Sequence, residues 1–468
     1  MTSEVTVPLA RWVDGLRLDA IPDRVRTRAK HLLLDGVAAG LVGAQLPWSR
    51  VATDAVLGVE GAGDAAVIGT GVTTSAPAAV LLNSTFVQGF ELDDFHPLAP
   101  LHSCSLVLPV LLAAAPVSGA AALTAAIAGF EVGPRVGLAL HGSQMLSRGW
   151  HSGPVFGTHA AAMAAGKLRG LDAGLLEDAL GLAGTQSAGL MAAQYEAMSK
   201  RMQHGFAARN GFYAVALAAG GYTGIKRVFD REYGGYLAVF GEGHDPDPQQ
   251  VVAGLGEVWH TELIMVKSYA AQGGLHGTIQ AALELRAEHA IDAAQVDRVE
   301  IAVGHTVYHH GWWPPERPLT AVGAQMNLGY AVAVALLDGE VMPPQFTPRR
   351  LDADDVWALI GKVGVRLDEA IEAGPVHERF ATELTVTLRD GTKQRRRVVQ
   401  PHGGPADPVT NDELVAKYRT LVGPLLDTAR LDAIQRAVLA LDELPDLTGL
   451  VDLLASPVKG ALDGTDLP

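Results

Sequence analysis

SLVLPVLLAAAPVSGAAALTAAIAGF, residues 105–130, carries no charged side chain. A helix that spans a bilayer wants about 20 predominantly apolar residues. Here Pro109, Pro116, Ser118 and Gly119 interrupt the run, and alanine makes up much of the rest. The stretch therefore reads as two buried helices joined by a turn at Pro116 to Gly119. Alanine and glycine at this density let helices approach closely, which points to a compact helical bundle.

The same texture extends in both directions. Leu9, Trp12, Val13 and Leu16 recur at three- and four-residue spacing, as do Ala29, Leu32, Leu33 and Val37, so 8–45 reads as helices. Helical spacing continues over 76–90, 105–140, 153–168, 174–195 and 205–220, with Gly220 and Gly221 placed to stop the last. Near residue 267 the pattern changes. A helix is expected at 275–289, then Val299, Ile301 and Val303 alternate with Glu300 and Ala302 as a strand. After a helix at 322–337, Val363, Val365 and Leu367 alternate. Leu384, Val386 and Leu388 then run into Asp390–Gly391, a hairpin signal, and a returning strand. The basic run Lys393, Arg395, Arg396 and Arg397 on that strand reads as a solvated edge. Helices resume at 410–422, 428–441 and 446–455. The expected fold is mainly α: a large all-helical domain, 1–266 and 405–468, interrupted by a smaller α+β lid, 267–404.

Composition narrows the chemistry. The 468 residues include 51 acidic and 36 basic side chains, for a formal net charge of −15, and a single cysteine, Cys104. Iron–sulfur clusters and thiolate zinc sites need three or four cysteines, and a disulfide framework needs pairs. An acidic chain whose basic run at 393–397 reads as an edge strand is repelled overall by phosphate backbones, so nucleic acid is not an expected partner. The N-terminal segment shows no basic stretch followed by an apolar one, so a cytoplasmic protein without a membrane anchor is expected.

Five segments hold the polar residues with chemical potential. ELDDFHPLAPLH, 91–102, sets Glu91, Asp93, Asp94, His96 and His102 in a proline-fixed loop between apolar helices. RGWHSGPVFG, 148–157, puts His151 just before a helix start, where free amides and the helix dipole suit a carboxylate. His159, inside that helix, reads as a packed core residue. SKRMQHGFAARNG, 199–211, aligns Lys200 and His204 on one face if it is helical. VKSYAAQGGLHGTIQAALEL, 266–285, carries Lys267, Tyr269 and His276 at the domain junction. AQMNLGYAVA, 324–333, places Tyr330 in an apolar helix, where the residues alone read as core. Together these groups suit proton transfer beside a carboxylate, with cations holding the substrate's other carboxylates.

In order and spacing, the five segments resemble the MmgE/PrpD family over nearly the whole chain. That family includes 2-methylcitrate dehydratase, cis-aconitate decarboxylase and an iminodisuccinate epimerase. The resemblance implies a helical domain with an α+β lid, a homodimer, no metal and no other cofactor. It implies catalytic roles for His102, His151, Lys200, Lys267 and Tyr330, so Tyr330 moves from core to site. Glu91, Asp93, Asp94, Phe95, Gln272 and His276 are the implied substrate-binding residues. Phe95 and Gln272 depart from the usual family pattern, as does Ala270, and an altered pocket is expected there. The leading expectation is a cofactor-independent lyase of the dehydratase type. It would remove a proton α to a carboxylate of a small, polycarboxylic acid, with His102 or His151 as base. Epimerisation or decarboxylation of a related acid is the alternative, beside a non-catalytic member of the fold.

Overall fold

The uncharged stretch forms two helices, Ser103–Ala113 and Gly119–Ala139, with Ser118 capping the second by accepting from the Ala121 amide at 3.2 Å. The computed structural model describes residues 4–375, 378, 380–404 and 406–458; the end of the C-terminal segment, 459–468, lies outside the described residues. Both helices are buried among Asp23–Gly43, Ala76–Val87, Ser152–Leu168 and Ser199–Ala219. Small residues make that packing close. A Cβ on Gly43 would stand 1.9 Å from the Phe86 carbonyl oxygen, and one on Gly211 would stand 2.5 Å from that of Thr158. No described helix is long and apolar enough to cross a membrane.

The expected helix over 174–195 ends early, at Gly184. The chain then turns back through Gly189 (φ 152°), and Leu190 pairs with Trp150 in an isolated bridge. The helix expected to begin at 205 instead begins at Ser199, which makes Lys200 and His204 true i, i+4 neighbours. The helix expected at 322–337 is broken into Ala321–Gln325 and Leu328–Asp338. Asn327 starts the second piece by accepting from the Tyr330 amide at 3.2 Å.

The alternating segments form one four-stranded sheet in the order 363–367, 296–303, 382–388, 393–398. The first pair is parallel and the other two antiparallel. Lys393–Val398 is an edge strand, and its arginines pair with acids: Arg395 with Glu383, Arg396 with Glu284 and Glu288. The His276–His289 helix covers this half of the sheet. The Asn411–Val422 and Thr428–Leu439 helices then pack on Asp23–Gly43. From the first of them Lys417 reaches in, 2.6 Å from Asp35 and bonded to the Leu92 carbonyl. The architecture is thus mainly α with a smaller α+β part, as the pattern predicts.

Candidate active site

A two-residue ladder builds the centre. Asp94 and Phe95 pair antiparallel with Val266 and Met265, although 170 residues separate the segments, and this sets Lys267 beside Asp93. Prolines 97 and 100 keep the intervening loop from becoming helix, and the His96 amide closes it on the Leu101 carbonyl at 2.9 Å. His102 therefore stands at the entrance of the Ser103–Ala113 helix.

Glu91 is the hub. It is 1% exposed and sits at φ 54°, a left-handed backbone that costs a non-glycine residue energy and tends to occur at functional positions. Its carboxylate meets three cations: Lys200 at 3.1 Å, Arg201 at 2.6 Å and Lys267 at 2.8 Å. Lys267 also bonds Asp93 at 3.0 Å and lies 3.5 Å from His102 Nδ1. His102 Nδ1 is 3.0 Å from the second Asp93 oxygen. Arg201 in turn donates to Gln325, whose amide nitrogen bonds the carbonyls of Phe90 and Ala270, both at 3.0 Å.

These contacts set protonation states. Burial alone would raise the Glu91 carboxyl, but Lys200, Lys267 and Arg201 overcome it and hold it well below the usual range. Asp93 is likewise held down against burial by His102 and Lys267. The two lysines diverge. Burial, with Arg201 and Lys267 nearby, lowers Lys200, whereas Asp93 and Glu91 outweigh burial and raise Lys267. Burial lowers His102, with Asp93 opposing, and pushes His151 and His204 well below the ordinary value.

A cavity of about 70 Å³ opens on this cluster, lined among others by Glu91, His102, His151, Lys200, Lys267 and His310. Phe95 and Gln272, the residues that depart from the family pattern, line it too. The Gln272 side chain holds the Gly274 amide at 3.0 Å through its oxygen and has no partner for its nitrogen among the described residues. His151 enters just before the Ser152–Leu168 helix, and Gln203 sits 2.8 Å from its Nδ1.

Four expected site residues do not line the cavity. Tyr330 is fully buried, donates its hydroxyl to the Gln345 carbonyl and packs on Phe346, so its helix turns it into the core. His276 is spent on the Ala271 carbonyl at 3.1 Å and on the Tyr269 ring. Asp94 accepts from the Cys104 amide at 3.0 Å, and burial and Asp93 raise its carboxyl well above the usual range. Asp93 reaches the cavity only through His102 and Lys267. Sequence reasoning missed Arg201, Gln203, Gln325 and His310. The first two stand in KRMQH, 200–204, a polar turn at the mouth of an otherwise apolar helix, which was the available signal; nothing in the sequence marks Gln325 or His310.

Nitrogens of His102, His151 and His204 lie within 4.8 Å of one another, a grouping which among the described residues could be drawn around a metal ion. Zinc–nitrogen bonds are about 2.0–2.1 Å, so the rings would have to close in, against the charge of Lys200 and Lys267. His159, between Phe229 and Tyr236, is the packed core histidine that its helix predicts. Cys104 is buried, and burial pushes its thiol well up, so it is not a ready nucleophile.

Residues 7–249 match the MmgE/PrpD N-terminal domain and residues 269–443 the MmgE/PrpD C-terminal domain. The cis-aconitate decarboxylase-like protein oryM of Aspergillus oryzae is 45% identical, over 96% of this chain and 97% of that protein. The cis-aconitate decarboxylase of Aspergillus terreus is 41% identical over 98% of each chain. The human cis-aconitate decarboxylase is 26% identical, over 98% of this chain and 96% of that one. Matches that together span both halves of the sequence show that the chain belongs to the MmgE/PrpD family.

Proposed function

We propose that this chain is a carbon–carbon lyase that decarboxylates cis-aconitate or a close tricarboxylate relative. The observation that carries the reading is kinship: two relatives, 45% and 41% identical over nearly the whole chain, are named a cis-aconitate decarboxylase-like protein and a cis-aconitate decarboxylase. Glu91 and Asp93 are paired with cations, which leaves His102 and His151 as the cavity groups that can move a proton. Dehydration and epimerisation would use one of them first, as a base on carbon. Decarboxylation begins instead by losing carbon dioxide and ends by placing a proton. The expectation of a dehydratase gives way to its stated alternative.

In the proposed step the bond between the methylene carbon and its carboxylate breaks, and carbon dioxide leaves. Its electron pair shifts through the double bond to the vinyl carbon, beside a second carboxylate that shares the charge. Lys200 and Lys267 hold that charge inside a low-dielectric site, where preorganised cations contribute most. The vinyl carbon then takes one proton, and the product is a methylidene dicarboxylate. His102 is the assigned donor: burial lowers its proton affinity, Asp93 opposes that, and the arriving polyanion raises it. His151 and the free Gln272 amide orient the remaining carboxylate.

Incubating the purified protein with cis-aconitate in D₂O, followed by proton NMR and carbon dioxide trapping, tests this. Carbon dioxide release with one deuterium placed beside the retained carboxylate is expected. Dehydration of citrate or 2-methylcitrate, with no carbon dioxide from cis-aconitate, would return the assignment to a dehydratase.

A further inference from the structure

A second cavity, of about 160 Å³, adjoins the catalytic one. Phe95, Gly273 and Phe380 line both. Between them the partition is thin: a Cβ on Gly273 would stand 2.5 Å from the Phe95 ring, so one aromatic ring lies against bare backbone. Beyond it the walls are Leu98, Leu263, Met265 and Pro401, and among the described residues no lysine or arginine lines the space. Its polar members are engaged elsewhere. His96 Nδ1 accepts from the Ala99 amide at 3.1 Å, its Nε2 lies 3.2 Å from His260, and Gln400 accepts from the Ala406 amide at 3.1 Å. Among the described residues, this space offers mostly apolar surface and no charged side chain.

We infer that the substrate carries an aliphatic chain on its tricarboxylate head, and that the chain lies in this second cavity. The inference rests on the decarboxylase reading and refines its substrate class. Lys200 and Lys267 fix the head in the catalytic cavity, and the Phe95 ring turns aside from Gly273 to admit the chain to the apolar one. Unsubstituted cis-aconitate leaves that cavity unfilled. The chemical step is unchanged, since the chain takes no part in bond breaking or proton placement.

The test is calorimetric binding of tricarballylate, the saturated analogue, carrying linear alkyl chains of increasing length. Turnover of cis-aconitate is measured separately. Burying a methylene contributes about 0.8 kcal/mol, so Kd should fall about three- to fourfold per added carbon until the cavity is full. Leu98→Trp fills the space from a position that is 38% exposed, and it should leave binding of the unsubstituted acid and turnover unchanged while abolishing the chain-length gain. Leu263→Phe is a second plug should the first variant misfold. A Kd that is flat with chain length, or a gain that persists in a folded plugged variant, overturns the inference. If cis-aconitate is not turned over but Kd still falls with chain length and the plug removes the gain, the decarboxylase reading fails and the apolar subsite stands. If no acid binds, both fall.

Discussion

Glu91→Gln removes one negative charge from the centre of three buried cations and keeps the shape of the side chain. In the native site Lys200, Arg201 and Lys267 lie 3.1, 2.6 and 2.8 Å from that carboxylate, and all are 2% exposed or less. Removing one partner of a buried ion pair costs about 3–5 kcal/mol, because the remaining charge is left uncompensated. Glutamine also turns an amide nitrogen toward groups that only donate. A loss of about 3–5 kcal/mol is therefore expected, a large part of the roughly 5–15 kcal/mol that a typical protein has. The sign of the pH dependence is fixed. Because the folded carboxyl titrates below its ordinary 4.5, its stabilisation is present above that value and is lost as pH falls through the folded value. Chemical denaturation of both proteins from neutral pH downward should show their stability gap closing below pH 4.5. The vacated cations should also bind a polycarboxylate more tightly, and ligand at about a hundred times Kd returns about 2.7 kcal/mol. A gap under about 1 kcal/mol, or one that stays constant with pH, would refute the idea that Glu91 is the charge hub.

Tyr330→Phe should lose about 1 kcal/mol of stability with the bond to Gln345, and change turnover little; a large fall in kcat would restore the tyrosine to the site. In the pH profile of kcat/KM, the proton that His102 donates is lost as pH rises, so with its titration lowered the activity should fall through a midpoint below 6.5. A profile that instead rises with pH through that range would make His102 a base. Phe206, Tyr213 and Leu217 form an exposed apolar stripe on one face of the Ser199–Ala219 helix, next to exposed Leu190 and Met198. We propose this face as the homodimer contact: Tyr213→Glu should shift the protein from dimer to monomer in light scattering, and a monomeric wild type would refute it.

What the sequence could show follows from what periodicity encodes. Alternation over 299–303, 363–367 and 384–388 is a local property, and all three strands stand where it predicts. The Asp94–Phe95 ladder with Met265–Val266 is too short to have a period, so the contact that builds the site was invisible. His102, His151, Lys200 and Lys267, which the fold brings to one cavity, each interrupt an apolar context at the edge of an element, and that is a local signal. Tyr330, His276 and Asp94 do not line the cavity, for one shared reason. A polar group in an apolar setting needs a partner, and in these three the partner is a nearby backbone group: the Gln345 carbonyl, the Ala271 carbonyl and the Cys104 amide. Sequence registers the need for a partner and cannot say whether protein or ligand meets it.

A net charge of −15 and an anionic substrate pull against each other, and the structure resolves this by distance. At the cavity three cations face two charged carboxylates, so the local sign is positive. At physiological ionic strength the Debye length is about 8 Å, and exposed charges beyond it are largely screened, whereas buried pairs are screened much less. A tricarboxylate approaching at low salt meets the repulsion of the whole surface before it reaches Lys200 and Lys267. Added salt should weaken that long-range repulsion more than the buried attraction. Hence kcat/KM should rise as sodium chloride is raised from low to physiological strength, and then level off. A steady fall from the lowest salt upward would mean that exposed basic residues draw the substrate in, and that the buried cluster acts only after it has arrived.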